Sequence, residues 1–129
     1  MVDSKSAAAA TEEVAFQLIA HAGEARSCVF DALNKALAED WAGVESCLQS
    51  SSDHLVEAQK VHMTLLQKEA RGESVAPSIL LVHAQDILMA AMTEKDLSEK
   101  IIELHRALLS KGITPTPTKR ANCKALPGK

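Results

Sequence analysis

The chain has no tyrosine, one tryptophan and two phenylalanines, so rings make up only 2% of a sequence that is 47% hydrophobic. A core without rings has to be assembled from many small aliphatic side chains, and 21 Ala and 15 Leu far outnumber 8 Val and 6 Ile. Ala and Leu lead the helix-propensity order, while the β-branched and aromatic residues that favour strands are scarce. Glycine and proline are few, five and four, and three of the prolines lie beyond residue 114; a sheet with many turns is therefore excluded from the first 111 residues. Basic charge is not in excess. Fourteen Lys plus Arg against 17 Asp plus Glu give a net charge of −3, without the footprint of a nucleic-acid-binding protein. Cys28, Cys47 and Cys123 form no C-x-x-C motif and fit free thiols in a reducing compartment better than a disulfide framework. No apolar run reaches the about 17–25 residues of a membrane span. The amino terminus turns acidic at Glu12 and Glu13, where a signal peptide would turn hydrophobic. These absences leave a single cytoplasmic all-α domain.

What is present is helical periodicity. Residues 1–10 read as a frayed lead-in, after which Thr11 can cap a first helix over about 11–39 with Glu12 and Glu13 at the positive end of its dipole. Val14, Leu18, His21, Ala25, Cys28, Ala32 and Ala36 follow at steps of three and four, with Phe16, Ile19, Ala22, Val29 and Leu33 broadening the stripe. Gly23 inside this run reads as a packing glycine at a close helix crossing. Asp40 can cap a second helix over about 40–71, carried by Val44, Leu48, Ser51, Leu55, Ala58, His62 and Leu65, with Gly72 as its left-handed stop. Ser50, Ser51 and Ser52 compete for backbone partners and predict a bend. Pro77 suits the first turn of a third helix over about 77–111, ended by Gly112 and the Pro115/Pro117 pair. Short connections make neighbours antiparallel, so residues 1–111 are expected to form an up-and-down three-helix bundle. Residues 112–129 read as a flexible tail; Lys119, Arg120, Lys124 and Lys129 make it basic, and leave 10 bases and 17 acids, a net −7, in the first 118 residues.

The third helix carries the chemistry. Ile79 to Met92 reads I-L-L-V-H-A-Q-D-I-L-M-A-A-M, in which only His83, Gln85 and Asp86 are strongly polar. A helix apolar on all sides must be covered on all sides, and two neighbours within one small protomer cover only part of it. The rest of the surface calls for another subunit. His83 and Asp86, three apart, share one helical face with Ile79, Ala90, Thr93 and Leu97. A buried carboxylate must find a cation, a donor or a proton. Copies of Asp86 converging on a symmetry axis would repel without a metal between them, and such oxygen ligands favour a hard cation such as Mg²⁺. Imidazole, near neutral at physiological pH, can serve as nucleophile, general base or ligand. The plainer alternative is a core histidine satisfied by Asp86 across one turn. His21 and His62 also lie on bundle seams and suggest a transition-metal bundle, but no Glu-x-x-His occurs to complete a ferritin-like site.

The run from Leu80 to Met89, L-L-V-H-A-Q-D-x-L-M, resembles the signature of the IIA component of the lactose/cellobiose (chitobiose) class of the bacterial phosphoenolpyruvate-dependent sugar phosphotransferase system. Ile19 to Arg26, Asp40-Trp41, Glu57-Ala58 and Leu66 to Glu73 resemble the same family, so the likeness spans about residues 13–110. The resemblance implies a homotrimer of three-helix protomers, a nine-helix bundle. It implies that His83 takes a phosphoryl group from phosphorylated HPr on Nε2 and gives it to a cysteine of the cognate IIB component, which serves a membrane IIC component. It further implies that Asp86 from each subunit holds one central Mg²⁺. Two departures stand out: Ile87 replaces a histidine common after the aspartate, and Gln59 and His62 exchange the places of His and Gln in the family's second helix. A carrier in sugar uptake is the leading expectation, and a non-catalytic or regulatory trimeric interaction module of the same family is the alternative.

Overall fold

A computed structural model describes residues 4–116, with side-chain surroundings from residue 5. Three helices follow in order, α1 (Ser4–Leu37), α2 (Trp41–Ala70) and α3 (Ile79–Ser110), and no strand occurs among the described residues. The expected all-α, three-helix architecture is thus the observed one. α1 packs along both α2 and α3, whereas α2 and α3 meet over a much shorter stretch, so α1 is the spine.

The helix ends show where local chemistry overrode the sequence expectations. α1 does not start at Thr11. It begins at Ser4 and runs through Ala7–Ala10, because alanine is the strongest helix former and nothing there breaks the ladder. Thr11 lies inside this helix, its hydroxyl donating back to the Ala7 carbonyl at 3.0 Å. Asp40 does cap α2, accepting from the Gly43 amide at 3.0 Å, and a side chain at position 43 would collide with that same carboxylate. The cap of α3 is Ser78, accepting from the Leu81 amide at 3.1 Å, so Pro77 sits just outside the helix. Gly72 and Gly112 take φ of +78° and +75°, the left-handed stops expected after α2 and α3. α2 is unbroken through Ser50–Ser52. The expected flexible tail falls largely in residues 117–129, which with Cys123 lie outside the described residues; Cys28 and Cys47 are free thiols.

Small side chains dominate the core. Ala15, Leu18, Ala22 and Ala25 of α1 are fully enclosed, against Leu55, Ala58 and Leu65 of α2 and Leu81, Ala84, Leu88 and Ala91 of α3, and Val29 is fully enclosed as well. A second cluster of Ala32, Ala36, Val44 and Ile102 closes the other end, where Trp41 packs and Arg106 lies 4.4 Å over its ring. Two expectations for α1 fail. Phe16 is 58% exposed rather than part of the buried stripe, and Gly23 faces open space, with nothing within 4 Å of a side chain built there. Neither residue is buried by α2 or α3.

Candidate functional site

The periodicity of α3 divides the central motif three ways. Leu81, Ala84, Leu88 and Ala91 point inward and are buried. Gln85 turns toward α2, where its side-chain amide is 3.3 Å from His62 Nε2; with the amide donating, that ring carries its proton on Nδ1. His83 and Asp86 point away from both neighbours and are exposed. No hydrogen bond or ion pair joins them to each other or to any other described residue. The satisfied core histidine is therefore not what the fold builds.

The surface around this pair is apolar. Ile79 is 91% exposed, Val82 52% and Met89 57%, and Leu97, Ile101, Leu104 and Leu108 continue the same outward stripe toward the end of α3. At 3.6 residues per turn Asp86 and Leu104 fall on one line down the middle of this stripe, with His83 displaced toward its α1 side. A lone carboxylate in the middle of such a strip has nothing to neutralise it within its own chain. Among the described residues no group of three or more His, Cys, Asp or Glu side chains is placed to hold a metal. A cation held by Asp86 would need donors from outside the protomer.

The other candidate histidines are dispersed. His62 is taken up by Gln85, and His21 faces not His62 but His54, with ring centres 5.9 Å apart. The transition-metal bundle on His21 and His62 is thus ruled out by placement. The exchanged Gln59 approaches Met92 Sδ at 3.7 Å across the same α2–α3 seam. Sequence reasoning missed the strongest polar link to α3. Arg26 grips Glu94 with two bonds, Nε to Oε2 at 2.6 Å and Nη2 to Oε1 at 2.8 Å, and these bonds together with the charge of Glu94 raise the guanidinium pKa. This clamp fixes α3 against the spine about three turns beyond His83. The available signal was an arginine at a position otherwise occupied by the apolar stripe of α1.

An exposed, unengaged imidazole and a carboxylate lie on an uncovered face of an all-α three-helix module, not inside an enclosed active site. The chain belongs to the lactose/cellobiose-specific IIA subunit family of the sugar phosphotransferase system, whose model matches residues 13–106. It is 40% identical over 91 residues, 70% of this chain and 88% of the relative, to the lactose-specific EIIA component of Streptococcus mutans. It is also 39% identical over 97 residues, 75% of this chain and 88% of the relative, to the lichenan-specific phosphotransferase enzyme IIA component of Bacillus subtilis. The crystal structure of the cellobiose-specific enzyme IIA from Bacillus anthracis superposes with a TM-score of 0.77 at 37% identity, covering 87% of this chain and 97% of that one. No helix among the described residues is long and apolar enough to cross a membrane.

Proposed function

We propose that the chain is a phosphoryl carrier in the uptake of a β-linked disaccharide of the lactose, cellobiose or chitobiose type, with His83 as the residue that is phosphorylated. The observation that carries this reading is the outward placement of His83, free of hydrogen-bond partners among the described residues, three residues from Asp86. Phosphorylated HPr is the donor. His83 Nε2 attacks phosphorus; the new P–N bond forms as the P–N bond of the HPr phosphohistidine breaks. In the second transfer a cysteine thiolate of the IIB component attacks, the P–N bond at His83 breaks and a P–S bond forms. A neutral imidazole meets the phosphoryl group without charge repulsion, and positioning does most of the work in such transfers. These partners make the chain a cytoplasmic component, in contact with the membrane IIC component only through IIB.

The uncovered stripe of α3 supports a homotrimer in which three copies meet to give a nine-helix bundle. Asp86 in the middle of that stripe would then contribute one hard oxygen donor from each subunit, a set suited to a single Mg²⁺. When bound, the ion supplies positive charge that offsets the clustered carboxylates beside an incoming phosphate. Incubation with phosphoenolpyruvate, enzyme I and HPr should label the chain in an acid-labile, base-stable form that disappears in His83→Ala. Absence of label, or label that survives this substitution, refutes the reading, and a monomer by light scattering at micromolar concentration refutes the assembly.

A further inference from the structure

Cys28 and Cys47 are half-buried on the seam between α1 and α2, away from His83 on α3. Three positions of α1, one heptad apart, line this seam, and each has a contact that fixes the register. Lys35 meets Asp40 at 3.3 Å and overlies Gly43, where a side chain would come within 2.6 Å of Lys35 Cδ. His21 faces His54, with ring centres 5.9 Å apart, and Cys28 Sγ lies 3.4 Å from Ser50 Oγ. The residue numbers of these pairs sum to 75 or 78, so each α1 side chain sits between two α2 positions one turn apart. For Cys28 those positions are Ser50 and Cys47. Cys47 for its part packs on the cluster that contains Ala32, one turn beyond Cys28. We propose that Cys28 and Cys47 are a redox-sensitive pair, joined into a reversible disulfide that staples α1 to α2 when a disulfide oxidant such as oxidised glutathione is present.

The exchange balances without any other reagent. One cysteine thiolate attacks a sulfur of oxidised glutathione, its S–S bond breaks, and one glutathione thiolate leaves a mixed disulfide on the protein. The second cysteine thiolate attacks the protein sulfur of that intermediate and expels the other glutathione thiolate. The two protein thiols are oxidised, the glutathione disulfide is reduced, and the two thiol protons end on the glutathione thiols. Rotation of Cys28 about its Cα–Cβ bond swings Sγ from Ser50 toward Cys47. The buried residues beside this rung, Ala25, Ala32 and Ser51, are small enough to let the two backbones approach, which a disulfide requires. The bond closes the turn between α1 and α2 into a ring and restrains the unfolded chain. A reducing compartment keeps the pair as thiols, and half-burial leaves them within reach of a small oxidant.

Incubation of the full, unsubstituted chain with oxidised glutathione, followed by alkylation of the remaining thiols and mass spectrometry, tests this without any variant. The chain should lose the mass of two hydrogen atoms and keep one alkylatable thiol, Cys123. Trypsin, cutting after Arg26, Lys35 and Lys60, should release residues 27–35 joined to residues 36–60. The link should form several-fold faster in the folded chain than in urea. The oxidised chain should unfold about 5 °C or more higher, and dithiothreitol should reverse the rise. Cys28→Ser and Cys47→Ser should each abolish the link and the rise, whereas Cys123→Ser should keep both. Glutathione adducts without the internal link, a link that uses Cys123 in the folded chain, equal rates in urea, or no rise in midpoint each overturns the proposal.

Discussion

Ser51 offers a substitution whose sign runs against the usual expectation for a core position. Its side chain is fully enclosed on the inner face of α2, and Oγ has no hydrogen-bond partner among the described residues. Taking a hydroxyl out of water without a partner costs about 1–3 kcal/mol. Ser51→Ala removes that cost and gains about 0.5 kcal/mol of helix propensity, while a few tenths are lost with the contacts of one oxygen. The net expectation is a stabilisation of about 1–3 kcal/mol, or a rise of about 4 °C or more in the unfolding midpoint. Urea unfolding followed by circular dichroism is the suitable assay. The m-value should be unchanged, and protein concentration must be matched between the two chains because association adds to apparent stability. An unchanged or lower midpoint in Ser51→Ala would show that the hydroxyl is satisfied and that the reasoning is wrong.

Three further outcomes follow from other parts of the fold. Asp86→Leu should make the outward stripe of α3 continuously apolar and strengthen self-association in the presence of a chelator; sedimentation velocity showing weaker association contradicts the central placement of that carboxylate. The Arg26–Glu94 clamp is bidentate but its side chains are 40% and 29% exposed, so a double-mutant cycle on thermal or urea unfolding should return a coupling of only about 0.5–1 kcal/mol. A null coupling would show that the two bonds do not hold α3 in solution. The Asp40 carboxyl is held below its ordinary value first by the Gly43 amide and then by Lys35. Its contribution is therefore present above the unfolded carboxylate pKa of about 3.9 and is lost as pH falls through the lower folded value. Asp40→Asn keeps a capping oxygen but cannot titrate, so its midpoint should fall less steeply than that of the unsubstituted chain below about pH 4; identical slopes would refute the assignment.

Much of this fold was legible because its signals are local. Asp40, Gly72 and Gly112 act on the backbone immediately beside them, and the three-four repeat marks the faces that Leu18 and Leu55 bury. Where expectation failed, the deciding contact lay far away in sequence or was missing altogether. Thr11 looked like a cap, yet the alanines before it were free to continue the helix. Phe16 looked like core only because periodicity cannot tell which edge of a stripe a neighbour will reach. In the site, the shared face of His83 and Asp86 followed from spacing alone. The link of Gln85 to His62 and the pairing of His21 with His54 depend on how α2 lies beside its neighbours, which no single-helix pattern encodes.

The choice of α1 as spine changes which positions tolerate mutation. Ala15, Ala22, Ala25, Ala32 and Ala36 are enclosed because two other helices lie directly on them. At such a position the room for a larger side chain is set by backbone separation, and an added methyl group has to push a neighbouring helix aside as a body. Sequence drift should therefore be most restricted at the smallest side chains, while the two phenylalanines, Phe16 and Phe30, are exposed in the protomer and freer to vary there. A deep substitution scan of this protein would give an inverted size profile, with intolerance concentrated on alanine.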